Sequence, residues 1–225
     1  MERAAIIVAG GMGRRLGGAI PKQFQLVAGK PMLCWTISVF RSFDPRMPIV
    51  VVLPEPHISI WKTLCIGHNF HDEHTVVAGG EERFHSVREG VKAIHGDPVI
   101  AVHDGVRPLV SKALIERCFA HAATHGTAIP VVPITVSVRE VDGALSKPVD
   151  RSRLRAVQTP QCFEADLLRK AFELPYDPAF TDEATLVERL GEKVELVDGE
   201  DSNLKVTTTG DLRLAELLFS APVKV

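Results

Sequence analysis

Six short apolar runs, each of strand length and separated by helix-like stretches, limit what this chain can fold into more than any other feature. They fall at residues 4–9, 49–53, 75–78, 99–102, 128–132 and 194–197. Apolar runs this short, with little polar alternation, suit strands covered on both faces, and the helices between them supply the covers. Pro31 stands near the start of one helical stretch, 32–40, and Ser111 is the natural N-cap of another, 112–125. The pattern predicts an α/β fold: a Rossmann-like, three-layer, mostly parallel sheet. Ligands of such folds bind outside the carboxyl ends of the strands. The 225 residues suffice for one sizeable domain, and no internal repeat or low-complexity linker divides them.

One segment breaks the rhythm. Residues 133–141 alternate apolar and polar side chains, turn at Asp142-Gly143, and return through 144–157. An Asp-Gly turn between extended runs predicts a β-hairpin. It either folds back on its own domain or projects as an arm, in which case a symmetric homodimer would cover its strands.

Composition removes several classes of function. A formal net charge of −2 argues against a general nucleic-acid or anionic-membrane binder. No apolar run approaches the 18 or more residues of a membrane span, and the first strand begins too early to leave room for a signal peptide. Cys34, Cys65, Cys118 and Cys162 are scattered without a C-x-x-C pair, so they read as reduced thiols of a cytoplasmic protein. His68, His71 and His74 cluster, and His121 and His125 stand four apart. Metal binding is conceivable at both places, but solvated surface histidine is the better reading.

Chemistry concentrates at the end of the first run. Ala9 is followed by Gly10, Gly11, Met12, Gly13, Arg14 and Arg15, and Lys22 comes shortly after. Glycines let a loop turn its N–H groups toward a phosphate and approach it closely, and the cations add charge that backbone dipoles cannot supply. The plainer alternative is a tight strand-to-helix turn with solvated arginines. The dinucleotide fingerprint does not fit, because the glycine after Gly13 comes one residue late. A P-loop does not fit either, because Gly29-Lys30 is followed by Pro31 and Phe24 stands where the first glycine belongs.

Further candidates follow along the chain. Gly80, Glu81 and Ser86 lie where a strand opens into a helix, a place to read a base edge or an ordinary junction. Asp104 follows the fourth run and could hold Mg²⁺ through a hard oxygen, although Asp-Gly is also a common turn. Arg107, Arg151, Thr159, Thr181 and Lys205 complete the set. Taken singly, Thr181 reads first as a helix N-cap and Lys205 as a surface lysine.

Their order is more specific than any one of them. The glycine loop with Arg15 and Lys22, Gly79-Gly-x-x-Arg-x-x-Ser86-Val, Asp104-x-x-Arg107-Pro, Gln158-Thr-Pro-Gln161, Thr181-Asp-Glu and Asn203-x-Lys205-Val-Thr occur in succession. That succession resembles the 2-C-methyl-D-erythritol 4-phosphate cytidylyltransferase family over nearly the whole chain, from residue 4 to about residue 218. The resemblance implies a single nucleotidyltransferase domain over 1–225 with a dimerisation arm at about 133–157. The implied reaction is transfer of CMP from CTP to the phosphate of methylerythritol phosphate, in the non-mevalonate isoprenoid pathway.

The same resemblance assigns roles. Ala9, Gly10, Gly11, Met12, Gly13 and Arg14 would wrap the triphosphate, with Arg15 and Lys22 stabilising the transition state. Gly80, Glu81 and Ser86 would read cytosine, and Asp104 would hold Mg²⁺ and the substrate. Arg107, Arg151, Thr159, Thr181 and Lys205 would form the acceptor pocket, Arg151 and Lys205 positioning the nucleophile, with part of that pocket coming from the partner subunit's arm. Glu81 and His85 stand where aspartates are frequent, and Gly105-Val106 replace an alanine pair. Some relatives carry a second enzyme in the same chain; this sequence, ending at Val225, reads as monofunctional. A ribitol 5-phosphate cytidylyltransferase and a non-catalytic nucleotide-binding regulator are the alternatives.

Overall fold

The structure, a computed structural model, describes residues 1–10 and 20–220. In chain order its elements are β1 (Arg3–Val8), β2 (Leu26–Val27), β3 (Lys30–Pro31), α1 (Met32–Phe43), β4 (Ile49–Leu53), α2 (Glu55–Gly67), β5 (Thr75–Ala78), α3 (Arg83–Lys92), β6 (Val99–Asp104) and α4 (Lys112–His125). There follow β7 (Thr127–Pro133), β8 (Val138–Asp142), β9 (Leu145–Val149), β10 (Arg155–Val157), β11 (Gln161–Glu164), α5 (Ala165–Ala171), α6 (Glu183–Glu188), β12 (Leu196–Asp198) and α7 (Thr209–Ser220). Among the described residues no helix is long and apolar enough to cross a membrane.

The main sheet runs β10-β7-β11-β6-β1-β4-β5, with β12 also paired to β7. The pairings of β5, β4, β1 and β6 are parallel, as is that of β12 with β7. Alternation along each central strand explains the unbroken apolar runs. Ala5, Ile7, Val51 and Ala101 pack into the core beneath α1, α2 and α4; Ala4, Ile6, Val50 and Ile100 pack into a second core that includes residues of α3, α5 and α6. A strand buried on both faces favours apolar side chains at every position, and β6 departs from this only at its carboxyl end, with His103 and Asp104.

The antiparallel insertion of β10 and β11 was not expected from the sequence. Both pair with β7, and β11 also pairs with β6. At three and four residues they are too short to show a period. Their interruption at residues 158–160, which contains the cis Thr159-Pro160 peptide, carries Thr159 to the end of β6.

The hairpin is β8 and β9, joined at Asp142-Gly143 and paired from Val138↔Val149 to Asp142↔Leu145. Val141 and Leu145 are 70% and 75% exposed, so the chain itself leaves this hairpin uncovered. A third apolar cluster, centred on Val27, Met32, Val106, Val206 and Ala215, packs α7 against β2 and the start of α1.

Ser111 caps α4 as the sequence suggested, its Oγ accepting from Leu114 N at 2.9 Å. Ser111→Ala is expected to cost about 1 kcal/mol, seen as a melting-temperature fall of about 2–4 °C. Thr181 does not cap α6. Asp182 holds that position, its carboxylate accepting from Thr185 N at 2.9 Å, since the helix starts one residue later than the Thr-first reading requires. His74 is also less exposed than its polar surroundings suggested. It accepts from the buried Trp61 Nε1 at 2.9 Å, which supplies the indole with the acceptor that burial demands.

Candidate active site

Four strand ends converge. Gly105 N donates to Val8 O, Ala9 N to Val52 O and Gly79 N to Leu53 O, each at 2.8–2.9 Å, which ties together the turns after β1, β4, β5 and β6. Beside these ends lie two cavities. The larger, about 410 Å³, is lined by Ala9, Gly10, Lys22, Gly80, Glu81 and Ser86 among others; the smaller, about 190 Å³, by Arg107, Thr159, Thr181 and Asp182 among others. Arg83, Asp104 and Lys205 line both.

The glycine turn after β5 is tight against α3. A Cβ on Gly79 would stand 2.6 Å from Ser86 Oγ, so a larger residue there would displace the serine. Ser86 Oγ donates to Gly80 O at 3.3 Å. Lys22 begins a short 3-10 turn, Lys22–Phe24, whose next two residues are anchors. Gln23 Nε2 donates to Ala9 O at 2.7 Å, and Phe24 stacks on Trp61 at 5.8 Å between ring centroids.

Asp104 is the electrostatic centre, with its side chain 10% exposed. Its Oδ2 lies 3.0 Å from Lys205 Nζ and accepts from Arg107 Nε at 3.3 Å; its Oδ1 lies 4.0 Å from an Arg83 Nη. Burial alone would raise its pKa, but Lys205, Arg83 and Arg107 outweigh that and hold the carboxyl well below the usual carboxylate range. Asp104 thus sits among three cations, two of which, Arg83 and Lys205, also line both cavities and can face an anion there.

Each cation reaches this point through its own anchor. Lys205 follows Leu204 in the third cluster, and the next residue, Val206, donates its N–H to Val106 O at 2.9 Å, which fixes the lysine's backbone. Arg107 is buried, with Nη1 donating to Asn203 O at 2.7 Å, so much of its donor capacity goes to the scaffold. Arg83 heads α3 and pairs with the buried carboxylate of Glu183.

Beneath Asp104 lies His103, fully buried and packed against Phe40. Burial pushes its pKa down to about 4, so the ring is neutral. Thr159 Oγ1 accepts from Asp104 N at 3.1 Å, which leaves its hydroxyl proton for His103 Nδ1 at 3.1 Å. His103 Nε2–H then donates to Arg107 O at 3.2 Å. This relay fixes Asp104, Arg107 and Thr159 relative to one another.

The sequence-derived residues thus divide three ways. Gly11, Met12, Gly13, Arg14 and Arg15 lie outside the described residues. Ala9, Gly10, Lys22, Gly80, Glu81, Ser86, Asp104, Arg107, Thr159, Thr181 and Lys205 come together around the two cavities. Arg151 does not join them: it is exposed beside the hairpin, donates to Thr135 O, and lines neither cavity. Sequence reasoning passed over His103, Arg83 and Glu183. Arg83 and Glu183 stood inside quoted motifs, but a pairing across 100 residues leaves no local signal.

A mostly parallel α/β sheet whose strand ends bring a glycine turn and convergent cations to two adjoining cavities defines a nucleotidyltransferase-type enzyme. The family model describing IspD, 2-C-methyl-D-erythritol 4-phosphate cytidylyltransferase, matches residues 3–221. A protein of that name from Bacteroides fragilis is 45% identical over 219 residues, covering 97% of this chain and 100% of the relative. The crystal structure of 2-C-methyl-D-erythritol 4-phosphate cytidylyltransferase from Thermus thermophilus superposes with a TM-score of 0.79 at 33% identity, covering 97% of this chain and 98% of that one. The bifunctional IspDF from Campylobacter jejuni gives 0.81 at 26% identity, with 95% of this chain covering 54% of that one. The chain belongs to the IspD family of cytidylyltransferases.

Proposed function

We propose that the larger cavity takes CTP and the smaller takes methylerythritol phosphate, so that the chain transfers CMP to the acceptor phosphate. The observation that carries this reading is that the two cavities adjoin and share Asp104, Arg83 and Lys205. Two anions that repel each other must meet there, and the cations Arg83 and Lys205 on the shared wall lower the cost of bringing them together.

In this reading an acceptor phosphate oxygen attacks the α-phosphorus of CTP. A new P–O bond forms, the bond from that phosphorus to the bridging oxygen breaks, and pyrophosphate leaves with the electron pair. The nucleophile is already ionised near neutral pH, so no general base is needed. Lys22, with Arg15, neutralises charge that builds on the five-coordinate phosphorus. Gly80, Glu81 and Ser86 read the base, while Thr159, Thr181, Arg107 and Lys205 hold the acceptor.

The donor set fits a divalent cation of the Mg²⁺ type. Among the described residues no group of three or more His, Cys, Asp or Glu could hold a metal, but Mg²⁺ commonly binds through one carboxylate with substrate phosphates and water. Asp104 Oδ1 lies 4.0 Å from Arg83, beyond hydrogen-bond reach, whereas Oδ2 takes the closer contacts of Lys205 and Arg107. Such an ion would neutralise part of the triphosphate's charge.

We further read the chain as one nucleotidyltransferase domain of a cytoplasmic homodimer. The exposed apolar side chains of the hairpin and the position of Arg151 beside it support a partner's arm completing each acceptor pocket. A mixture of Arg151→Ala and Lys22→Ala variants is then expected to recover about a quarter of wild-type activity, because half of randomly paired symmetric dimers carry one intact site. Mixtures no more active than the separate variants would place Arg151 outside the neighbouring site.

Pyrophosphate release with CTP and Mg²⁺ tests the reaction itself. Release with methylerythritol 4-phosphate and not with ribitol 5-phosphate is the expected result. Release with ribitol 5-phosphate alone would overturn the acceptor assignment while keeping the nucleotide half.

A further inference from the structure

Arg83 stands where the two cavities meet and belongs to the lining of both. Its guanidinium is held from behind: both terminal nitrogens donate to the carboxylate of Glu183, one of them at 2.9 Å. Glu183 sits in the first turn of α6 and is 2% exposed, so it contributes nothing to either cavity beyond this grip. A guanidinium carries five N–H donors in a planar fork, and a bidentate carboxylate takes two of them. Asp104 Oδ1, at 4.0 Å, is beyond hydrogen-bond reach. The Arg83 side chain is 31% exposed and lines both cavities.

The Glu183 side is itself braced. Gln161, on β11, accepts from Ala184 N at 3.0 Å and donates to Asp182 at 2.9 Å, pinning the start of α6 to the sheet. A charge anchored through a buried carboxylate and a braced helix end is preorganised, so little rearrangement is needed when an anion arrives. Lysine could not substitute well, since a single ammonium cannot grip a carboxylate in a fork and present further donors in fixed directions.

Resting on the reading that the acceptor phosphate enters the smaller cavity, we propose that Arg83 is a further catalytic residue. It receives the acceptor's phosphate at the junction of the cavities and holds it against the nucleotide, and Glu183 is the residue that positions it. The competing role is a strut that merely joins α3 to α6. The two roles separate in a double variant. Arg83→Gln alone leaves a buried carboxylate without its partner, whereas Arg83→Gln with Glu183→Gln exchanges the ion pair for two neutral amides.

The experiment measures kcat, KM for methylerythritol 4-phosphate, KM for CTP and melting temperature for both single variants and the double. Arg83→Gln is expected to lower kcat/KM for the acceptor by at least about 100-fold with KM for CTP within about threefold, and Glu183→Gln to lower it about 10-fold. The double variant should regain melting temperature relative to Arg83→Gln and stay as inactive. Activity restored in the double, or failure of both Arg83 variants to fold, would make the pair a strut and overturn the proposal. A change confined to KM for CTP would overturn the placement of the acceptor on which it rests.

Discussion

Asp104→Asn is expected to lower turnover by at least about 10³-fold, or roughly 4 kcal/mol in the barrier, and to destabilise the fold as well. Lys205, Arg107 and Arg83 approach this carboxylate at 3.0, 3.3 and 4.0 Å. Removing one partner of a buried ion pair typically costs about 3–5 kcal/mol, because the remaining charge keeps its desolvation penalty. The Lys205 side chain is 43% exposed and can relax into water, so the lower end of that range, about 3 kcal/mol, is the expected value. Denaturant unfolding of the two proteins measures it.

The effect carries a pH signature. The folded-state pKa of Asp104 lies below the ordinary value of 3.8, so the unfolded chain binds more protons than the folded one around that pH. The stabilisation is therefore complete well above pH 3.8 and is lost as the pH falls through the folded value. The stability gap between wild type and Asp104→Asn should be constant from about pH 5 upward and shrink in acid. A gap that grew on acidification would mean that Asp104 is not held by these cations.

Lys22→Ala is the second large effect, and its signature is the opposite one: chemistry lost, stability kept. Lys22 lines the larger cavity at the head of its 3-10 turn, and the turn is anchored by its neighbours. Gln23 bonds Ala9 O and Phe24 packs on Trp61, and neither contact involves the lysine side chain. Truncation should leave stability within about 0.5–1 kcal/mol of wild type. Turnover should fall by at least about 10²-fold, roughly 2.7 kcal/mol of lost transition-state stabilisation. Single-turnover kinetics with saturating CTP isolates that step, and near-normal kcat would remove Lys22 from the mechanism.

Much of the sheet was legible before any coordinates. The runs at 49–53 and 75–78 coincide with β4 and β5, and the helix at 112–125 coincides with α4, cap included. The helix is long and capped, and the two runs are rich in β-branched residues, so local physics decides them. The run at 194–197 corresponds to β12 at Leu196–Asp198, where parallel pairing with Ile129–Val131 sets the boundary. The short antiparallel strands β10 and β11 were not legible, because what makes them strands is the neighbours they find in β6 and β7.

The site divides along the same line. Gly79 and Gly80, the Asp104-x-x-Arg107 spacing and Lys205 between Leu204 and Val206 were visible as residue types in order, and that order was enough to imply a nucleotide, an anionic acceptor and the family. No spacing along the chain could show that Lys205, Arg107 and Arg83 would surround one carboxylate, or that His103 would sit neutral behind Thr159. Nor could it show that Glu183 would take hold of Arg83 from 100 residues away. By itself the sequence determined the parallel central strands and which chemical groups end them, since burial pattern and turn chemistry are local. The tertiary structure alone decided which of those groups share a charge environment, since electrostatic coupling depends on distances in space that only the folded chain brings to about 4 Å or less.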